Sequence, residues 1–209
     1  MVDFEGCFKQ LPLIAILRGI RQEEVLEIVG SLVTAGFRLI EIPLNSPDPF
    51  TSIKVATDEF GDIAVIGAGT VLSREDALRT IDINGRLIVS PNVNTEVGKV
   101  CQEKNVVWAP GIITPSEAFS AISSGAKHLK VFPAEMVLPS GISAMRAVLP
   151  KDIQLIPVGG ITPETMPKYV QAGADGFGLG SALYRQGDSA KQVSEKANMF
   201  VQTAHKLFG

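Results

Sequence analysis

Eight times along this 209-residue chain, a short apolar run closes on Gly, Pro or a polar residue, and a stretch with helical character follows. The runs cover residues 13–18, 38–43, 64–69, 87–91, 106–110, 128–132, 154–158 and 175–179. Runs this rich in Ile, Val and Leu suit parallel strands covered by helices. Strands that alternate with helices, with no linker between them, specify an α/β fold. Eight βα units in a row predict a (β/α)8 barrel forming a single domain over 1–209, although the chain is short for one; an open doubly wound sheet is the alternative. Residues 1–10 are expected to form a helix closing the barrel floor, and residues 190–207 a terminal helix over the last strand.

Local signals mark where helices begin and end. Thr114-Pro115-Ser116-Glu117 reads as a capping box with Pro at the first helical position. Ser73-Arg74-Glu75-Asp76 is a looser version, and Thr162-Pro163 repeats the cap and the Pro. Gly36, Gly61, Gly85, Gly125 and Gly173 each precede a strand, as left-handed glycines closing helices would. Val25, Ile28, Val29, Leu32 and Val33 mark one apolar helix face.

Composition narrows the function. A net charge of -3 gives no electrostatic case for nucleic acid, and no basic cluster suggests a membrane surface. Cys7 and Cys101 read as separate reduced thiols, while His128 and His205 are too few and too scattered for zinc. The acidic start and the absence of any apolar run near ~18 residues point to a cytoplasmic protein.

Side chains alternate across a strand. In His128-Leu129-Lys130-Val131-Phe132, Lys130 therefore faces away from Leu129 and Val131, into the barrel. In Leu39-Ile40-Glu41-Ile42-Pro43, Glu41 does the same. Burying either charge is costly unless it is paired or used. An inert buried ion pair is one reading. The other is an amine nucleophile with a carboxylate acid/base, since both residues stand near the C-terminal ends of strands, where barrel active sites cluster. A lysine attacks a ketone only when uncharged, so its pKa must fall from ~10.4 toward ~7–8. Burial and nearby Arg18 lower it, and an ionised Glu41 raises it.

Arg18 ends the first strand with a fork suited to a carboxylate or phosphate; it could equally be a rim arginine. Thr70, after Gly67-Ala68-Gly69, could hold a carboxylate oxygen or cap a helix. Gly159-Gly160 and Gly180-Ser181 follow the seventh and eighth strands, the usual phosphate cradle of barrels, though tight turns alone would also explain the glycines. His128 reads as a hydrogen-bonded core histidine, Trp108 as core, and Phe132 as a wall of the pocket.

Taken together, Ile14-Ala15-Ile16-Leu17-Arg18, Glu41-Ile42-Pro43-Leu44-Asn45-Ser46, Gly67-Ala68-Gly69-Thr70-Val71, Ser90-Pro91-Asn92, Pro110-Gly111, Lys130-Val131-Phe132-Pro133-Ala134, Val158-Gly159-Gly160-Ile161 and Gly180-Ser181 resemble the 2-keto-3-deoxy-6-phosphogluconate and 6-phosphogalactonate aldolases over nearly the whole chain. The resemblance implies a class I aldolase, a homotrimer needing no metal or organic cofactor. It implies Lys130 as the Schiff-base lysine and Glu41 as the acid/base. It also implies a phosphorylated 2-keto acid bound by Arg18, Thr70, Gly159, Gly160, Gly180 and Ser181; Pro91 and Phe132 are expected at the substrate as well. Asn45 stands where the gluconate type commonly has arginine, and Val158 where it has threonine, so these two positions are expected to set specificity toward the galactonate epimer. Glu135 matches the gluconate type, and a gluconate or dual-specificity enzyme is the alternative. More distant alternatives are a phosphate-binding isomerase or synthase barrel, as in tryptophan or thiamin biosynthesis, and a non-catalytic metabolite-binding barrel.

Overall fold

The computed structural model describes residues 2–209. Its strands are β1 (Leu13–Ile16), β2 (Leu39–Pro43), β3 (Val65–Gly69), β4 (Leu87–Val89), β5 (Val107–Ala109), β6 (Gly111–Ile112), β7 (His128–Val131), β8 (Gln154–Pro157) and β9 (Phe177–Leu179). All pair in parallel, in the orders β5-β4-β3-β2-β1-β9 and β6-β7-β8. A parallel bridge from Val158 to Gly178 joins the two sets. The architecture is an α/β fold with a curled parallel sheet. The fifth apolar run gives β5 alone; beyond its closing Pro110, which has no N–H to give the ladder, Gly111 and Ile112 form a further strand, β6. Its carbonyl still accepts the Lys130 N–H at 2.9 Å.

The helices are α1 (Phe4–Gln10), α2 (Val25–Ala35), α3 (Pro49–Phe60), α4 (Arg74–Asp82), α5 (Thr95–Lys104), α6 (Pro115–Ser123), α7 (Ala134–Arg146), α8 (Met166–Gln171) and α9 (Ala190–Phe208), with a 3-10 turn over Gln22–Glu24. Ser73 caps α4 by accepting from the Asp76 N–H, and Thr114 and Glu117 form the expected box on α6. The expected start at Thr162 is corrected. That residue opens a turn in which Thr165 Oγ1 accepts its N–H at 2.9 Å, and α8 begins at Met166. The glycine expectation holds at Gly36, Gly125 and Gly173, all with positive φ. It fails at Gly61, with φ −62, and at Gly85, where Asn84 takes the left-handed φ of 66 instead. At both positions a side chain would strike the backbone of the preceding helix, at Thr57 and Thr80.

Strand parity divides the core in two. Leu13, Ala15, Ile40, Ile42, Leu129, Val131, Phe177 and Leu179 pack outward against the helices. Ile14, Ile16, Leu39, Val65, Leu87, Ile156 and Val158 face inward and pack with Phe4, Cys7 and Phe8 of α1. Each fully buried Leu or Ile contributes roughly 1.5–3 kcal/mol. Among the described residues, no helix is long and apolar enough to cross a membrane.

Candidate active site

β7 and β2 each carry one charge into the inward cluster. Lys130 is 4% exposed and Glu41 1%. Both line one inner cavity with Ile14, Ile16, Val89, Ala109, Ile156, Val158 and Gly178. In register, Lys130 stands between Gly111 and Ile156, and Glu41 between Ile16 and Gly67, so no neighbouring strand offers either group a polar side chain. Neither Glu41 oxygen has a hydrogen-bond partner, so the two groups are not joined as an inert ion pair. Lys130 Nζ lies 4.8 Å from the centroid of the Phe132 ring.

Burial decides the protonation of both groups. It pushes Glu41 up to about 7, against the opposing pull of Lys130 and Arg18. It holds Lys130 below the ordinary lysine range; the Glu41 charge opposes that shift and Arg18 reinforces it. An amine whose charged form is disfavoured thus shares a cavity with an acid able to gain or lose a proton near neutrality.

Outside this cavity, and sharing Lys130, Ile16, Val158 and Gly178 with it, opens a pocket of ≈ 480 Å³. Arg18, Phe132, Val158, Gly159, Gly160, Gly180 and Ser181 line it as the sequence predicted. Gly159 and Gly160 have φ of 106 and 62, which suit glycine alone. Asn45, Thr70 and Pro91 are not part of its lining. Asn45 Oδ1 accepts from Arg18 Nη1 at 2.6 Å, and the neighbouring Ser46 Oγ accepts from the Gly19 N–H at 2.9 Å. Thr70 follows Gly69, whose backbone touches Glu41, and holds a left-handed φ of 56. Pro91 is half-buried with its carbonyl against Gly111, the register partner of Lys130.

Sequence reasoning missed Tyr184 and Arg185, which complete the pocket wall beyond Ser181. The signal was the adjacency of Tyr184-Arg185 to the Gly180-Ser181 turn. Trp108 is core, with Nε1 donating to Ser90 Oγ at 3.2 Å. His128 is buried edge-on to Phe4, 4.5 Å between centroids. Its expected hydrogen bond is corrected: Nε2 lies 3.3 Å from Glu5 Oε1 yet makes no hydrogen bond. Burial lowers its pKa, and Glu5 opposes that shift.

A desolvated amine and acid at the C-terminal edge of a parallel sheet, under an open pocket, define an enzyme site. The family model for KDPG and KHG aldolase matches residues 4–197. The chain belongs to this family of class I aldolases. A probable 2-dehydro-3-deoxy-6-phosphogalactonate aldolase of Rhizobium meliloti (strain 1021) is 49% identical over 198 residues, 95% of this chain and 93% of the relative. A 2-dehydro-3-deoxy-6-phosphogalactonate aldolase of Escherichia coli (strain K12) is 46% identical over 92% of this chain and 94% of its own. A solved structure described as native KDPGal has a TM-score of 0.93 at 44% identity, covering 95% of this chain and 96% of that one.

Proposed function

We propose that this chain cleaves 2-dehydro-3-deoxy-6-phosphogalactonate to pyruvate and D-glyceraldehyde 3-phosphate through a Schiff base on Lys130. The observation that carries the reading is that Lys130 and Glu41, both stripped of solvent, face one cavity beneath a pocket ending in two glycine turns. The uncharged Nζ adds to the C2 ketone, and loss of water gives an iminium. Glu41, through a water, takes the C4 hydroxyl proton. The C3–C4 bond breaks, its electron pair passes into the iminium to form an enamine, and the aldehyde leaves. Protonation at C3 and addition of water then free pyruvate and the amine. Covalent catalysis replaces one difficult step with several easier ones. Arg18 and Thr70 anchor the pyruvyl carboxylate, Pro91 and Phe132 wall the reacting carbons, and Gly159, Gly160, Gly180 and Ser181 hold the phosphate. Binding the remote phosphate orients the bond to be broken.

The galactonate epimer is preferred on two grounds: Asn45 and Val158 in this chain, and the names of the two relatives. The architecture is read as a closed (β/α)8 barrel of one domain floored by α1, supported by the β9–β1 pairing and the Val158–Gly178 bridge. The enzyme is further proposed to be a cytoplasmic homotrimer that works without metal or organic cofactor; light scattering at three chain masses tests the assembly.

Pyruvate with borohydride tests the chemistry. The expected result is a stable adduct mapped to Lys130, and its absence overturns the aldolase reading. A metabolite-binding barrel would bind pyruvate without exchanging its methyl protons, and an isomerase or synthase barrel would need no imine. Assay of both C4 epimers side by side decides the substrate, and a gluconate preference would overturn the argument from Asn45 and Val158.

A further inference from the structure

We propose that Arg185 is a substrate-binding residue whose guanidinium receives the phosphate from the side opposite the Gly159–Gly160 turn. The proposal rests on the reading above for the identity of the phosphorylated ligand. Arg185 lines the same pocket as Gly159, Gly160, Gly180 and Ser181. Its side chain is held at one point: Nε donates to the Ser181 carbonyl at 3.0 Å. Among the described residues, nothing accepts a hydrogen bond from Nη1 or Nη2, so the far edge of the fork is free to bind an anion.

The loop around it is fixed. The Leu183 and Tyr184 N–H groups both donate to the Gly180 carbonyl, at 2.8 and 3.0 Å. The Arg185 N–H donates to Asp188 Oδ2 at 2.8 Å. That same oxygen carries an ion pair with Lys196 at 2.5 Å, and Asp188, although its charge feels Arg185, makes no ion pair with the guanidinium.

Electrostatics call for such a cation. The Glu135 side chain lies against the glycine turn, 2.5 Å from where a Cβ on Gly159 would stand and 2.7 Å from one on Gly160. Backbone N–H groups alone would meet a dianion beside a carboxylate. A planar fork on the other side offsets that repulsion, because charge-assisted bonds to phosphate are roughly twice as strong as neutral ones. Arg18 is placed for a different task. It is the arginine whose charge acts on both Lys130 and Glu41, whereas Arg185 acts on neither, as expected for the remote end of the substrate.

The test compares wild type, R185Q and R185K in three measurements. For R185Q the KM of the phosphorylated substrate is expected to rise about 10- to 100-fold, and inhibition by inorganic phosphate to weaken by a similar factor, with partial recovery in R185K. Pyruvate carries no phosphate, so its borohydride adduct on Lys130 is expected to form in R185Q, showing a folded site. An R185Q phosphate affinity within about twofold of wild type overturns the proposal. So does loss of the pyruvate adduct in R185Q alone, which would make Arg185 a structural brace. Absence of the adduct in wild type would instead sink the aldolase reading, and the phosphate titration would still decide Arg185.

Discussion

Glu41 occupies the space that a side chain on Gly69 would need. A Cβ built on Gly69 falls on the Glu41 carboxylate, although the two residues lie on different strands. The glycine at the end of β3 therefore fixes how deeply the acid sits. Gly69→Ala is expected to push Glu41 out of place, lowering kcat by about 10-fold or more and stability by about 1–3 kcal/mol. Retro-aldol kinetics and thermal melts check this, and wild-type activity in the variant would mean the acid has another way to reach the substrate.

The raised pKa of Glu41 has consequences for both stability and rate. Its folded value, about 7, lies above the ordinary 4.5, so the folded state holds the proton more tightly than the unfolded chain. That contribution is fully present below pH 4.5 and is lost as pH rises through about 7, a change of roughly 3 kcal/mol. Glu41→Gln has no such proton. Its melting temperature relative to wild type should therefore climb between pH 5 and pH 8. Over the same range the wild-type rate should rise as the carboxylate becomes able to accept the C4 hydroxyl proton, and the variant should lose that limb. A melting difference that stays flat with pH would argue that Glu41 is solvated in solution.

Lys130 and Glu41 were legible because strand parity needs only the alternation around them, and that alternation survives folding intact. The capping box at Thr114 and Glu117 was legible for the same reason, since its partners are three residues apart. β6 was not anticipated, because the fifth run ends at Pro110 and only pairing with the distant β7 makes Gly111 and Ile112 a strand. Gly61 and Gly85 resemble left-handed caps in sequence, but their need for glycine comes from contact with Thr57 and Thr80. The Arg18–Asn45 bond joins residues 27 positions apart, and Arg185 becomes relevant only once β9 returns beside β1. No local pattern encodes either relationship.

Thr70 is β-branched and yet left-handed, with φ 56. Such a backbone costs about 1–3 kcal/mol and tends to persist where function needs the geometry. Glycine would relieve the strain but add unfolded-chain entropy of roughly 0.5–1 kcal/mol. Thr70→Gly is expected to match or exceed wild-type stability by up to about 1 kcal/mol, while raising the KM for pyruvyl substrates through loss of the hydroxyl. Thr70→Ala keeps the strain and loses the hydroxyl, so it should lower activity with no gain in stability. Denaturant titration of the pair separates the two effects, and an unchanged KM in both would remove Thr70 from the substrate site.

Val158 offers a sharper test of substrate choice. It is buried and lines the pocket beside Gly159, and its methyl groups fill the space next to Gly178, where a Cβ would lie 2.6 Å from Val158 Cγ2. An apolar wall here has nothing to offer a C4 hydroxyl turned toward it, so the epimer that places its hydroxyl elsewhere is favoured. Val158→Thr keeps the volume and adds a donor and acceptor at that wall. It should shift the ratio of kcat/KM for the two C4 epimers toward the gluconate form by about 10-fold or more, because a site that hydrogen-bonds a hydroxyl discriminates far better than one that merely accommodates it. Asn45→Ala should act differently. It frees Arg18 from its 2.6 Å bond and should raise KM for both epimers, in addition to shifting their ratio. If Asn45→Ala moved the epimer ratio and Val158→Thr did not, the selecting contact would lie after β2 rather than after β8.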